Sequence, residues 1–188
     1  MPLDAAGLRT AFSARPEGLV ALAADVGGLR EGMAASTFTP ASLDPPLVSV
    51  CVARSSRTWP RLRASRGLGV SVLAEEHEQV ARRLSARDGD RFAGTAVTTR
   101  SSGAVLIDGA CAWFECAIED ELDAGDHLIA LLAVLEVHHL PDARPLVFHR
   151  SSFTQLASPC PAPAPVAGLV GAADGHAGPP RDTGPARH

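Results

Sequence analysis

Residues 32–52, GMAASTFTPASLDPPLVSVCV, decide the fold. Gly32 to Ala35 bring small side chains, Ser36 and Thr37 bring hydroxyls at what reads as a strand end, and Asp44-Pro45-Pro46 brings a turn. Leu47 to Ala53 (LVSVCVA) follows as a compact apolar run, the pattern of a buried return strand. Hydroxyls and backbone N–H groups converging at such a turn can bind a phosphate or a planar polar ring without any lysine. Ala34 and Ala35 are small enough to let a flat ring lie against the backbone. A plain β-hairpin with a Ser/Thr-rich turn accounts for the same residues, and spacing alone does not separate the two readings.

Upstream, GLVALAADVGGLREGMAAS reads as two strands around a Gly27-Gly28 hairpin turn. Residues 3–14 set Leu3, Leu8, Ala11 and Phe12 near one face of a short amphipathic helix closed by Pro16. Downstream, the pattern predicts a short helix at Trp59–Ala64, a strand at Leu68–Ala74, and a helix at His77–Ala86 with Val80, Ala81 and Leu84 at helical spacing. Four further strands are expected at Ala104–Ile107, Ala110–Glu121, His127–His138 and Pro145–Phe148, separated by turns rich in Gly, Asp or Pro. Many short strands with few helices make this a mainly β fold, a β-barrel with peripheral helices. From residue 158 to 188 the chain is Pro/Ala/Gly-rich with hardly a large apolar residue, so it is expected to be a disordered tail after a domain spanning 1–157.

The whole chain has 188 residues, 46% hydrophobic and 20% charged, which fits one globular domain. No apolar run is long enough for a membrane span. A net charge of −4 gives no sign of a nucleic-acid surface. There is no Lys, Asn or Tyr, which excludes Schiff-base chemistry, a Tyr general acid and a Lys-dependent P-loop. Cys51, Cys111, Cys116 and Cys160 form neither a CxxC pair nor a zinc spacing, so no metal is expected. With Asp4 early and no apolar leader, reduced thiols in a cytoplasmic protein are the expectation.

Beyond the opening stretch lies ARSSRTWPRL, residues 53–62. Ser55, Ser56 and Thr58, flanked by Arg54 and Arg57, offer an anion site, although an ordinary helix N-cap uses the same residue types. His138 and His139 are adjacent on a strand and point to opposite faces, so they do not ligate one ion together. Glu75-Glu76-His77-Glu78 reads as a solvated helix start. Arg82, Arg83 and Arg87 read first as a surface face, with Arg83 the best candidate among them to reach a phosphate or carboxylate. No G-x-S-x-G elbow supports a hydrolase triad around Ser36.

Taken in order, GMAASTFTPASLDPPLVSVCV, SSRT, VSVLAEEHEQVARRLSARDGDRFAG, AWFEC, AGDH and PLVFHR resemble the flavin reductase-like family with the FMN-binding split barrel. The resemblance runs from about Leu8 to Phe153. It implies an NAD(P)H-dependent flavin reductase that supplies reduced flavin, by diffusion, to a partner monooxygenase. It implies FMN or FAD as flavin, NADH or NADPH as hydride donor, and a homodimer with the flavin near the subunit interface. By position, it implies that Met33, Ala34, Ala35, Ser36 and Thr37 line the flavin ring and ribityl chain. It also implies that Val50, Cys51 and Val52 present backbone groups to the ring edge. Ser56 and Thr58 correspond to the phosphate site, His127 of the GDH motif to the nicotinamide side, and Phe148, His149 and Arg150 to the same pocket. The DGDRFAG segment, residues 88–94, resembles a loop bordering the flavin pocket, with Phe92 as its anchor.

The chemistry suits these residue types, because hydride transfer between two stacked rings needs positioning rather than a nucleophile. Three positions depart from the family pattern: Ala34 replaces a Thr, Leu132 replaces a Gly, and HRG-x-Y has become His149-Arg150-Ser151-Ser152-Phe153. Leu132 is expected to narrow the nicotinamide site, since Gly marks close approach of a ligand to backbone. The rival functions are a flavin-binding or cofactor-independent tailoring enzyme of a small-molecule pathway, and a non-catalytic module of the same fold.

Overall fold

The computed structural model describes residues 4–157; the expected tail at 158–188 lies outside them. Helix α1 (Ala5–Ser13) is capped by the Asp4 carboxylate, which accepts from the Gly7 N–H. It buries no residue, and Phe12 on its predicted apolar face is 68% exposed. The amphipathic pattern therefore marks a helix with no core beneath it in this chain.

The hairpin of β2 (Val20–Val26) and β3 (Leu29–Ala35) turns at Gly27 and Gly28, both at positive φ, as a tight two-residue turn demands. Strands β4 (Thr39–Leu43) and β5 (Pro46–Ala53) form the second hairpin, across Asp44-Pro45. With β6 (Leu68–Val72), β9 (Ala112–Ala124) and β10 (His127–His139), they make one seven-stranded antiparallel sheet in the order β3-β2-β6-β9-β10-β5-β4. A small sheet joins β1 (Glu17–Gly18), β11 (Val147–His149) and β12 (Ser152–Thr154), and β7 (Val97–Thr99) pairs with β8 (Val105–Ile107). The large sheet is open, the architecture of a split barrel. The seam is bridged by a side chain. Thr37 Oγ1 accepts from the Cys51 N–H at 2.9 Å and donates to the Cys51 carbonyl at 3.1 Å, replacing the backbone partner that β4 no longer provides.

Two apolar layers flank the sheet. Val20, Leu22 and Ala24 point into the barrel with Val48, Val50, Val52, Val70, Ala130 and Leu132, whereas Leu19, Ala21 and Ala23 face Leu73, Leu84, Val105 and Ile107 outside it. Strand β2 is thus buried on both faces and reads as an unbroken hydrophobic run. Gly69 of β6 lets β8 cross closely, for a Cβ there would lie 2.0 Å from the Val105 carbonyl oxygen. The short helix α2 (Trp59–Leu62) and α3 (Glu78–Ser85), which follows a 3₁₀ turn at Glu75–His77, are the peripheral helices. As expected, α3 buries Val80, Ala81 and Leu84. Among the described residues, no helix is long and apolar enough to cross a membrane.

Candidate active site

The loop Arg54–Thr58 is clamped at both ends. Arg54 donates from its backbone N–H to the Asp126 carbonyl and from Nε to the Gly125 carbonyl, both at 3.0 Å, fixing it to the β9–β10 turn. At the other end Trp59 and Leu62 of α2 are buried in the barrel core, and Trp59 Nε1 donates to Glu121 Oε1 at 2.6 Å. Between these anchors, Ser55, Ser56, Arg57 and Thr58 line one side of a cleft of about 600 Å³. Met33 and Ala34 of β3 also line it, with Leu84, Ser85, Ala86 and Arg87 at the end of α3, and Arg91 from the following loop. Phe92, buried against Leu84, anchors that loop as expected, and Gly32 admits it: a Cβ there would lie 2.6 Å from the Phe92 ring.

The polar groups of this cleft are mostly donors. Among the described residues Arg57, Arg87 and Arg91 form no ion pair with a carboxylate, and no carboxylate lines the cleft. Arg91 Nη1 donates to the Gly32 carbonyl at 2.8 Å and to Thr58 Oγ1 at 2.6 Å. Ser56 Oγ accepts from the Trp59 N–H, the first of α2, at 3.1 Å, although the N-cap residue is Thr58, and it lies 3.9 Å from Met33 Sδ. The ordinary N-cap reading of SSRT is thus met only in part: Ser56 satisfies one helix N–H from outside the cap position, while the loop faces a cationic cleft. The volume and the mixture of small apolar residues with convergent donors suit an anionic small molecule.

A second, more apolar recess of about 200 Å³ shares Ala34 and Ser85 with the cleft. Leu19, Ala35, Ser36, Ala81, Phe148 and Phe153 complete it, and the Phe148 and Phe153 rings meet edge-on with centroids 5.3 Å apart. The structure thus brings Met33, Ala34, Ala35, Ser36, Ser56, Thr58 and Phe148 into one continuous region.

Other expected residues lie elsewhere. The Val50 and Val52 side chains are in the barrel core, their strand paired with β10, and both backbone groups of Cys51 are occupied by Thr37. His149 Nε2 contacts the Ala14 carbonyl at 3.1 Å, and His127 Nδ1 contacts Asp126 Oδ1 at 2.8 Å; neither lines the cleft. The hydrogen bond and the charge of His127 hold the Asp126 carboxyl below the usual range. Leu132 corrects the expectation that it narrows a cofactor surface. Its place on β10 opposite Val48 and Ile118 turns it into the barrel core, fully buried. Arg83 is also corrected, because it donates to the Ala93 carbonyl and holds the loop, while Arg87 and Arg91 reach the cleft. The roles of Ser85 and Arg91 were missed. The DGDR turn signal was the one clue to Arg91.

The profile of the Flavin reductase like domain matches residues 12–157, and the chain belongs to that family. It is 36% identical over 159 residues to actinorhodin polyketide dimerase of Streptomyces coelicolor, covering 84% of this chain and 90% of the relative. It is also 36% identical over 138 residues to the reductase subunit HsaB of a flavin-dependent monooxygenase from Rhodococcus jostii, with coverage of 73% and 71%. Among solved structures, the NADH:FAD oxidoreductase SgcE6 of Streptomyces globisporus C-1027, in complex with NAD and FAD fragments, superposes with a TM-score of 0.77 at 35% identity. That match covers 82% of this chain and 93% of the other. The protein is therefore a mainly β oxidoreductase of the flavin reductase class.

Proposed function

We propose that the chain reduces FMN or FAD with NADH or NADPH and releases the reduced flavin to a partner monooxygenase. One observation carries this reading. The cleft joins a small-residue surface at Met33–Ala34 to a loop whose hydroxyls and three arginines face it without any carboxylate. A flavin phosphate meets donors there, and an isoalloxazine meets small and aromatic surfaces toward Ala35, Ser36 and Phe148. When bound, the flavin supplies the redox chemistry, accepting a hydride equivalent from the reduced nicotinamide. The protein's share is positioning: Ser56 and Thr58 hold the anionic end, and α3 with Phe153 limits water around the ring. His127 orients the nicotinamide from outside the cleft lining, and its turn is tied by Arg54 to the loop that carries Ser55, Ser56 and Thr58.

The protein acts as a homodimer in this reading. On the outward face of β10, Ile129, Leu131 and Ala133 lie beside Cys51, Ser49 and Leu47 of β5, and Leu135, at the bulge farther along, is 61% exposed. Such an apolar sheet face suits a second copy. Among the described residues, Cys51, Cys111 and Cys116 form no disulfide, in keeping with a cytoplasmic location, and Cys160 lies outside those residues.

The apolar recess and the likeness to a polyketide dimerase favour one second reading, a tailoring enzyme acting on a small metabolite. Anaerobic addition of NADH to protein supplied with FMN or FAD decides between them. Bleaching of the flavin band supports the reductase, and a flavin spectrum that NADH leaves unchanged overturns it in favour of the second reading.

A further inference from the structure

We propose that Arg91 is a positioning residue that makes the cleft selective for phosphorylated flavin, acting through the Thr58 hydroxyl. This deepens the reductase reading and rests on it. Thr58 is only 6% exposed, yet it borders the cleft. A guanidinium donates and never accepts, so the 2.6 Å contact from Arg91 Nη1 occupies an acceptor position on Thr58 Oγ1. The hydroxyl proton must then point elsewhere, and among the described residues no acceptor receives it. A buried hydroxyl in that state offers one fixed proton to whatever enters the cleft.

Ser56 shows the same arrangement more weakly. Its oxygen accepts from Trp59, and its proton has only the Met33 sulfur, 3.9 Å away. The two Nη1 protons of Arg91 are taken by Thr58 and the Gly32 carbonyl, which leaves three of its five donors without a partner among the described residues. Arg57 and Arg87 stand in the same lining. Every oriented group at this end of the cleft can donate, and a phosphate only accepts. A ligand ending in a ribityl hydroxyl has less to offer such a site than one ending in a phosphate.

The test compares FMN with riboflavin, which share the ring and differ in the phosphate. Fluorescence titration of the wild-type protein is expected to show tighter binding of FMN. Arg91→Met and Thr58→Val should each weaken FMN by about ten- to a hundredfold and leave riboflavin within about twofold, as loss of a charge-assisted contact implies. Thr58→Ser, which keeps the hydroxyl, should retain the preference. The double variant R91M/T58V should be no worse for FMN than the poorer single one, because both act through one proton.

Equal weakening of FMN and riboflavin by Arg91→Met would make the arginine merely structural and overturn the proposal. So would additive losses in the double variant, or a raised KM for NADH with FMN binding unmoved, which would assign the anion site to the nicotinamide. If Arg91→Met does not fold, the Thr58→Val and Thr58→Ser pair decides by the same FMN-to-riboflavin ratio. Wild-type protein that binds both flavins equally overturns this inference while the reductase reading stands. Wild-type protein that binds neither flavin and shows no NADH-dependent flavin reduction ends both.

Discussion

Leu132→Ala separates a core role from a cofactor-facing one. The side chain is fully buried and belongs to the cluster of Val48, Val50, Val52, Cys116 and Ala130 inside the barrel. Strands β5 and β9 are hydrogen-bonded on either side of β10, so the walls of the resulting cavity have little freedom to collapse. A Leu-to-Ala change of this kind costs about 4 kcal/mol, within the usual range of 2–5. In a domain of this size that lowers the unfolding midpoint by roughly 8–16 °C. Thermal unfolding followed by circular dichroism measures the loss, and steady-state kinetics at a temperature where the variant stays folded measure the KM for NADH. Because Leu132 lines neither the cleft nor its apolar recess, that KM is expected to stay put. A variant that melts with its parent but binds NADH more tightly would refute the reasoning and return Leu132 to the nicotinamide site.

Further outcomes are expected at four other sites. Ser56→Ala combined with Thr58→Ala should weaken flavin binding by about 2–4 kcal/mol in a fluorescence titration, and unchanged affinity would refute the phosphate assignment. Gly69→Ala forces β8 away from β6, since its Cβ would meet the Val105 carbonyl at 2.0 Å, and should cost about 3 kcal/mol in urea unfolding; a neutral result would contradict that packing. Burial pushes the Cys116 thiol up to about 12, so native Cys116 should resist a thiol reagent at pH 9 and react once the chain is unfolded. The unfolded thiol loses its proton near pH 9 and the folded one does not, so stability should decline as pH rises from 9 toward 12, and Cys116→Ser should flatten that decline. His127→Ala should raise the KM for NADH more than the Kd for flavin, and equal losses would mark a structural histidine.

The β-rich domain was legible because its strands announce themselves locally. Gly27-Gly28 can close only a tight hairpin, and the Leu47–Ala53 run is apolar enough to be a buried strand on its own. Short pieces escaped: β7 and β12 have three residues each and too little pattern to detect. At the site, the opening stretch and SSRT were readable as chemistry because small residues and hydroxyls sit together in sequence. Arg91 was not, since its meaning comes from Thr58, thirty-three positions away and joined to it only by the fold. Leu132 misled for the complementary reason. Sequence places it five residues beyond His127, but the face it occupies is set by pairing with β5 and β9.

The Thr37 bridge has a bearing on how the domain breathes. Where a closed barrel would oppose strand with strand, here a single hydroxyl links the Cys51 backbone to the end of β3. Parting it sacrifices two hydrogen bonds, about 1–3 kcal/mol, whereas unzipping β9 from β10 would sacrifice a ladder of thirteen-residue strands. The wall is therefore hinged beside its own cleft, and the Cys51 amide should take up deuterium ahead of its neighbours on β5.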